Sequence, residues 1–281
     1  AEDTPDDYVH DLFNLDFFKN HPIGRPICGR EETVNHFRRE DIIEFFKSRY
    51  QPRRVIVSIA GNFQHAAVVD EMAARLGSVQ ERNHDPHPGV TGETVPEMGN
   101  GIFPHPKSLE QVHLCLGVAG IPQSHPKRYI AYVLNTLLGG GMSSRLFQEI
   151  REKRGKAYSV YSFSSAYKDV GYLGVYAGTS LDSTEEVVEL ILQELKKMAA
   201  GNVSENEIAR TQGQLVGSMI LGLESTDSWM SHVARNEIYF GQAISIDEIC
   251  QKIRAVSRDE VIELADTLFA KGAMTLTLLG D

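Results

Sequence analysis

Cysteine is scarce: the 281 residues hold three, Cys28, Cys115 and Cys250. They form no CxxC pair and no disulfide framework, so buried free thiols in a reducing compartment are expected, and with them a cytoplasmic location. No run of about 18 apolar residues occurs, so no membrane span and no membrane partner are indicated. Neither GxxxxGK[ST] nor a GxGxxG following a strand is present, which removes the usual signatures of nucleotide binding. Excess positive charge is missing too. Lys and Arg number 28 against 38 Asp and Glu, a formal net charge of −10, which argues against a nucleic-acid partner and fits basic or neutral ones. Position 1 is Ala rather than Met, so the chain is read as processed or as a fragment whose first residues say nothing of targeting.

What is present is ordinary for a globular protein: 42% hydrophobic and 23% charged residues. At this length one large or two medium domains with ample core are expected. Asp3-Thr4-Pro5 is a strong helix start, followed by Tyr8, Val9, Leu12 and Phe13 on one face, and the helix should end near Asn20. HPIGRPICG, through Gly29, is an irregular loop. Arg39 to Tyr50 is an amphipathic helix stopped by Pro52, Arg54 to Ala60 reads as a continuous apolar strand, and Ala66 to Leu76 as another helix. From Glu81 to Gly101 periodicity is lost in Pro, Gly, His and Asn, so residues 83–101 are read as a linker between 1–82 and 102–281.

The second part predicts strands near Ile102 and over Gln111 to Gly117, then a helix over Pro126 to Leu138. Helices follow over Thr184 to Ala199, from the capping box Ser204-x-x-Glu207 to about Leu223, and over Asp227 to Phe240, Ile246 to Ala255 and Arg258 to Phe269. A strand over Met274 to Leu279 closes it. This mixture argues α+β, with a sheet covered by helices on one face.

The remaining stretch, Leu137 to Thr179, organises the reading: LLGGGMSSRLFQEIREKRGKAYSVYSFSSAYKDVGYLGVYAGT. Gly139, Gly140 and Gly141 end one helix and provide close packing and a turn. Ser143 or Ser144 is a candidate N-cap for a short helix with Leu146, Phe147 and Ile150 at helical spacing. Arg151, Lys153 and Arg154 crowd its end, and Gly155 suits the left-handed residue beyond it. Ala157 to Phe163 is a strand, and Asp169-Val170-Gly171 turns it into another through Thr179. Arg151 and Tyr158 thus flank one helix-to-strand junction. By spacing alone the commoner roles of such residues are dipole chemistry and packing.

The whole string is more specific. RLFQEIREKRGKAYSVYS, between LLGGGMSS and GYLGVYAGT, closely resembles the second homologous domain of the pitrilysin/insulinase family of zinc metallopeptidases, in its processing-peptidase-like branch. EDTPDDYVHDLF, HPIGRPICG and YQPRRVIVSIAGNF look like the end of that family's first domain. The resemblance implies two homologous α/β sandwich domains, the first truncated at its N-terminus. It also implies a zinc-dependent metalloendopeptidase as the parent protein, with peptide as substrate and a homodimer or a heterodimer with a related subunit as the assembly.

The family's inverted HxxEH zinc motif is absent from the ten histidines, and so is HExxH. His84 and His87, in NHDPHPG, are the one pair at helix-turn spacing, and prolines break up that segment. His21, His36, His65, His105, His113, His125 and His232 stand alone, and Glu2 is not assigned as a ligand. The resemblance therefore implies zinc in the parent protein, none bound to this chain, and a chain inactive by itself. Carried over residue by residue, it implies that Arg151 and Tyr158 donate hydrogen bonds and positive charge to the scissile carbonyl as it becomes tetrahedral. A non-catalytic partner or structural subunit of a heterodimer is the alternative.

Overall fold

The computed structural model describes residues 3–51, 54–77, 96–270 and 272–281. In chain order the main elements are α1 (Pro5–Phe17), α2 (Glu31–His36), α3 (Arg39–Arg49), α4 (His65–Leu76), β1 (Gly101–His105), β2 (Val112–Ala119) and α5 (Arg128–Gly139). Then come β3 (Ala157–Ala166), β4 (Gly171–Thr179), α6 (Thr184–Ala199), α7 (Glu205–Gly222), α8 (Thr226–Phe240), α9 (Ile246–Arg254), α10 (Arg258–Ala265) and β5 (Met274–Leu279). The expectation of an α+β chain holds.

The strands form one five-stranded sheet in the order β1-β5-β2-β4-β3. β1 and β5 run parallel, Gly101 opposite Thr275, and the other pairings are antiparallel, with Val112 opposite Thr179 across β2 and β4. Alternation along a strand sends successive side chains to opposite faces. Leu114, Leu116 and Val118 therefore join Leu173, Val175 and Ala177 beneath α5, α6 and α10, in a core with Leu134, Leu138, Ile191 and Val261.

The other face is also covered, which differs from the expected single layer of helices. Val9, Leu12, Phe13 and Phe17 of α1, with Phe18, bury against Cys115, Tyr172, Tyr176 and Leu279. The aromatic residues on α1 supply the reason. Phe13 and Phe17 each lie 5.3 Å, centroid to centroid, from Tyr172, and Gly117 leaves the room that Phe13 occupies.

The compact units do not follow the boundaries expected at 82 and 101. One contains Ala1–Ile27, Val95–Ile220 and Ile244–Asp281; the other contains Cys28–Thr94 and Leu221–Ala243. Residues 78–95, most of the expected linker, lie outside the described residues. The part that follows is packed: Phe18 bridges Met98, the Gly99 N–H donates to Phe17 O at 2.7 Å, and the Thr275 hydroxyl donates to Gly99 O at 2.7 Å.

In the second unit α3 and α4 form as expected, but the Arg54–Ala60 strand does not. A strand needs a neighbouring backbone, and among the described residues none pairs with this segment. Val55, Ile56 and Val57 are left about half exposed, at 50%, 50% and 51%. The apolar face of α3 is likewise uncovered, with Ile42, Phe45 and Phe46 exposed. Ser58 Oγ donates to Met230 O of α8 at 2.8 Å.

Candidate functional site

The site grows from the junction between α5 and β3. α5 ends against β3 at Gly139, where a Cβ would lie 2.2 Å from the Ser162 backbone nitrogen, so only glycine permits this approach. Gly139, Gly140 and Gly141 carry no positive φ; close packing, rather than left-handed backbone, is what the triplet provides. Leu146 and Ile150 are fully buried and fix the following turns to the core.

Those turns are wider than the expected α-helix. Phe147–Glu152 is π-helical, the Lys153 N–H reaching Gln148 O at 3.0 Å, a geometry that occurs mostly as single turns and frequently at functional sites, although Asp266–Ala270 is π-helical as well. The expected serine cap is not made, and the Ser144 hydroxyl is buried without a partner. Gly155 does take the left-handed conformation, with φ 61°, and its N–H donates to Arg151 O at 3.0 Å.

Two arginines of this segment have opposite surroundings. Arg145 is mostly buried and clamped: Nε and Nη2 donate to the Glu207 carboxylate at 2.9 and 3.0 Å, Nη2 donates to Asn202 O, and Glu194 lies 3.8 Å from Nη1. Burial acts to raise the Glu207 pKa, but hydrogen bonds from Ser204 and the charge of Arg145 outweigh it and hold it below the usual range. Arg151 is exposed and has no carboxylate partner among the described residues. Its neighbours Lys153 and Arg154 both bind Glu149 instead, and their hydrogen bonds, Lys153 first, pull that carboxyl down to about 2.

Arg151 sits over two rings. Its guanidinium carbon is 5.0 Å from the Phe147 centroid and 5.5 Å from that of Tyr158, inside cation–π range. Phe147 thus supports the guanidinium, a role that its apolar helical spacing does not reveal. Tyr158 is brought there by a β-bulge. Ala157 pairs with Thr179 and Ser159 with Gly178, so Tyr158 is the extra residue on β3, and a bulge re-aims the side chain it carries. Tyr158 is 77% exposed. The structure therefore brings together both residues singled out by sequence, as an uncompensated cation beside a presented phenol.

Under α1 lies a second polar cluster that sequence reasoning misses, since nothing around His10 marks it. His10 Nε2 is 3.0 Å from the Tyr161 hydroxyl, its Nδ1 is 3.7 Å from Cys115 Sγ, and His113 Nδ1 is 2.9 Å from the Tyr176 hydroxyl. Burial lowers the pKa of His10 against the opposing charges of Asp7, Asp11 and Asp6, lowers that of His113, and pushes the Cys115 thiol up. Such groups are held neutral. His105 is not isolated either: its Nε2 bonds Asp16 at 2.9 Å.

Among the described residues, no group of three or more His, Cys, Asp or Glu side chains is placed to hold a metal. His84, His87 and Glu2 lie outside the described residues. No helix among those described is long and apolar enough to cross a membrane.

Comparison with known proteins places these features in context. The family model described as "Peptidase M16 inactive domain" matches residues 36–215. An uncharacterized zinc protease of Bacillus subtilis, YmxG, is 38% identical over 270 residues, covering 96% of this chain and 64% of that protein. An uncharacterized zinc protease of Streptomyces coelicolor, SCO5738, is 38% identical over 268 residues, covering 94% of this chain and 58% of that one. The chain thus spans about three-fifths of these relatives. Among solved structures, a protease from Helicobacter pylori superposes with a TM-score of 0.88 at 18% identity, covering 100% of this chain and 68% of the other. The peptidase M16 inactive domain from Pseudomonas fluorescens does so with a TM-score of 0.84 at 16% identity, covering 99% and 66%. At these identities the structural likeness speaks to fold.

Proposed function

The chain belongs to the peptidase M16 family, the pitrilysin/insulinase zinc metallopeptidases, and from that membership we propose that it is the substrate-clamping portion of a zinc metalloendopeptidase. The observation that carries this reading is the pairing of Tyr158, presented on its bulge, with an Arg151 that no carboxylate among the described residues neutralises. A peptide carbonyl set against the pair accepts hydrogen bonds from the guanidinium and the phenol. As the carbonyl becomes tetrahedral its oxygen gains negative charge, and both interactions strengthen at that point, which is where binding energy lowers the barrier. The absence of a carboxylate partner keeps the Arg151 charge available for that oxygen.

The described residues do not form a zinc site, so no step here runs through the metal. Zinc, the attacking water and the general base belong, in this reading, to the portion of the relatives' length that this chain does not span. The 281-residue chain by itself is therefore expected to hydrolyse no peptide and to retain no stoichiometric zinc. Tightly bound zinc together with cleavage of a quenched fluorescent peptide by this chain alone would overturn that.

A second reading is favoured by one specific observation, that the matching domain is described as inactive. In it the chain is part of a non-catalytic subunit whose Arg151 and Tyr158 act on a related partner's site. The upstream coding sequence discriminates: an intact HxxEH points to the enzyme, and a degenerate one to the partner subunit. In both readings the substrate is peptide and the assembly is a homodimer or a heterodimer with a related chain.

A further inference from the structure

We propose that a polar cavity walled by Ser144, Lys153, Lys197 and Arg210 is a binding site for a phosphate dianion, free or esterified to a small hydrophilic carrier. The cavity lies between residues 143–153, α6 and α7 and has a volume of about 470 Å³, within the range of small-molecule sites. Every described residue that lines it is polar or charged. Nothing in that lining stacks on a base or buries an acyl chain, so the occupant is small and hydrophilic.

The charges around the cavity do not balance. Glu207 is answered by Arg145, Glu194 by Lys197 at 2.5 Å with Arg145 at 3.8 Å, and Glu149 by Lys153 and Arg154. With Arg210, five cations bear on three carboxylates, which leaves an excess of two positive charges. Arg210 has no carboxylate partner among the described residues. Its Nη2 donates to Ser143 O at 2.9 Å, which holds the guanidinium at the cavity wall and leaves its charge unneutralised.

A second observation points to a ligand independently of charge. Ser144 lines the cavity and is 4% exposed, and its hydroxyl meets no hydrogen-bond partner among the described residues. A buried donor without a partner is costly, and native structures rarely keep one without a reason. A ligand oxygen seated at that wall answers it. A dianion also cancels the excess of two, and phosphate oxygens suit a guanidinium fork, an ammonium and a hydroxyl together. A metal cation would meet excess positive charge, and a carboxylate would leave half of that excess unanswered. Arg145 holds the wall rather than the ligand, because Glu207 and Asn202 O already occupy it. Bound there, the dianion ties the turns that carry Arg151 to α6 and α7.

Isothermal titration calorimetry of the 281-residue chain at pH 8 tests this, with inorganic phosphate and glycerol 3-phosphate as probes and chloride holding the ionic strength constant. Saturable one-to-one binding is expected. Arg210→Gln should weaken it about ten-fold or more, as loss of a charge-assisted donor does. Ser144→Ala should weaken it several-fold, yet leave the thermal midpoint of the ligand-free chain at or above wild type, because its hydroxyl has no partner to lose. Tighter binding of glycerol 3-phosphate assigns an esterified occupant and tighter binding of inorganic phosphate the free ion, and each upholds the site. No saturable binding overturns the proposal. So does an affinity unchanged in both variants when they unfold as cooperatively as wild type, which leaves an adventitious ion only. A Ser144→Ala chain with a lowered midpoint and wild-type affinity overturns it as well, since the hydroxyl would then serve the fold alone.

Discussion

Arg145 and Arg151 lie six residues apart on the same short segment, yet the fold treats them oppositely. Arg145 is mostly buried, bidentate to Glu207, close to Glu194 and bonded to Asn202 O. Arg151 stands exposed over two aromatic rings, and the nearby carboxylate, Glu149, is taken by Lys153 and Arg154. A guanidinium that is fully answered within the protein has nothing left for a ligand. One whose charge is unanswered costs little to keep at the surface and has all its donors to offer. The difference separates an arginine that holds the fold together from one available for chemistry.

The largest effect on folding is expected from Arg145→Ala. Removing one partner of a mostly buried pair leaves Glu207 with no cation and only its Ser204 hydrogen bonds, while Glu194 keeps Lys197, a loss of about 3–5 kcal/mol by denaturant unfolding. If Arg145→Ala unfolds at the wild-type midpoint, the contrast between the two arginines fails.

The acid limb of stability gives a second, smaller test. Glu149 and Glu207 both have folded-state pKa values below the ordinary 4.5. Their contribution is therefore fully present above about pH 4.5 and is lost as pH falls, for Glu149 through about 2. Glu149→Gln should lower the thermal midpoint modestly at neutral pH, because the partner cations Lys153 and Arg154 are exposed and screened, and should approach wild type as pH falls below about 4.5. A midpoint in Glu149→Gln that declines as steeply as in wild type would contradict the assigned pairing with Lys153 and Arg154. The smallest effect belongs to Arg151→Ala, expected to stay within about 0.5 kcal/mol of wild type, as surface substitutions do. A loss of several kcal/mol there would make Arg151 another structural arginine.

Much of the sheet unit was legible from local patterns. The Ser204 and Glu207 capping box forms, with Ser204 N donating to Glu207 at 2.8 Å, and Gly155 is left-handed, because both depend only on nearby residues. The strand expected over Arg54–Ala60 was not realised, although its apolar run is as strong as that of β2. Val112–Ala119 has neighbours on both sides, and a strand is defined by partners that its own sequence does not contain. The covering of the sheet by α1 was illegible for the same reason. Arg151 and Tyr158 could be picked out from their string, but how they meet could not. The bulge at Tyr158 is fixed by register against Gly178 and Thr179, and the π-helical turn beneath Phe147 by the burial of Leu146 and Ile150.

The most direct test of the central claim is the kcat/KM of the full-length parent for a quenched fluorescent peptide, measured for wild type, Arg151→Ala and Tyr158→Phe at matched thermal stability. Loss of one donor to the developing oxyanion is expected to lower it by about 10²–10³-fold, equivalent to about 2.7–4 kcal/mol. Wild-type values in both variants, with folding intact, would contradict the assignment of this pair to the peptide carbonyl.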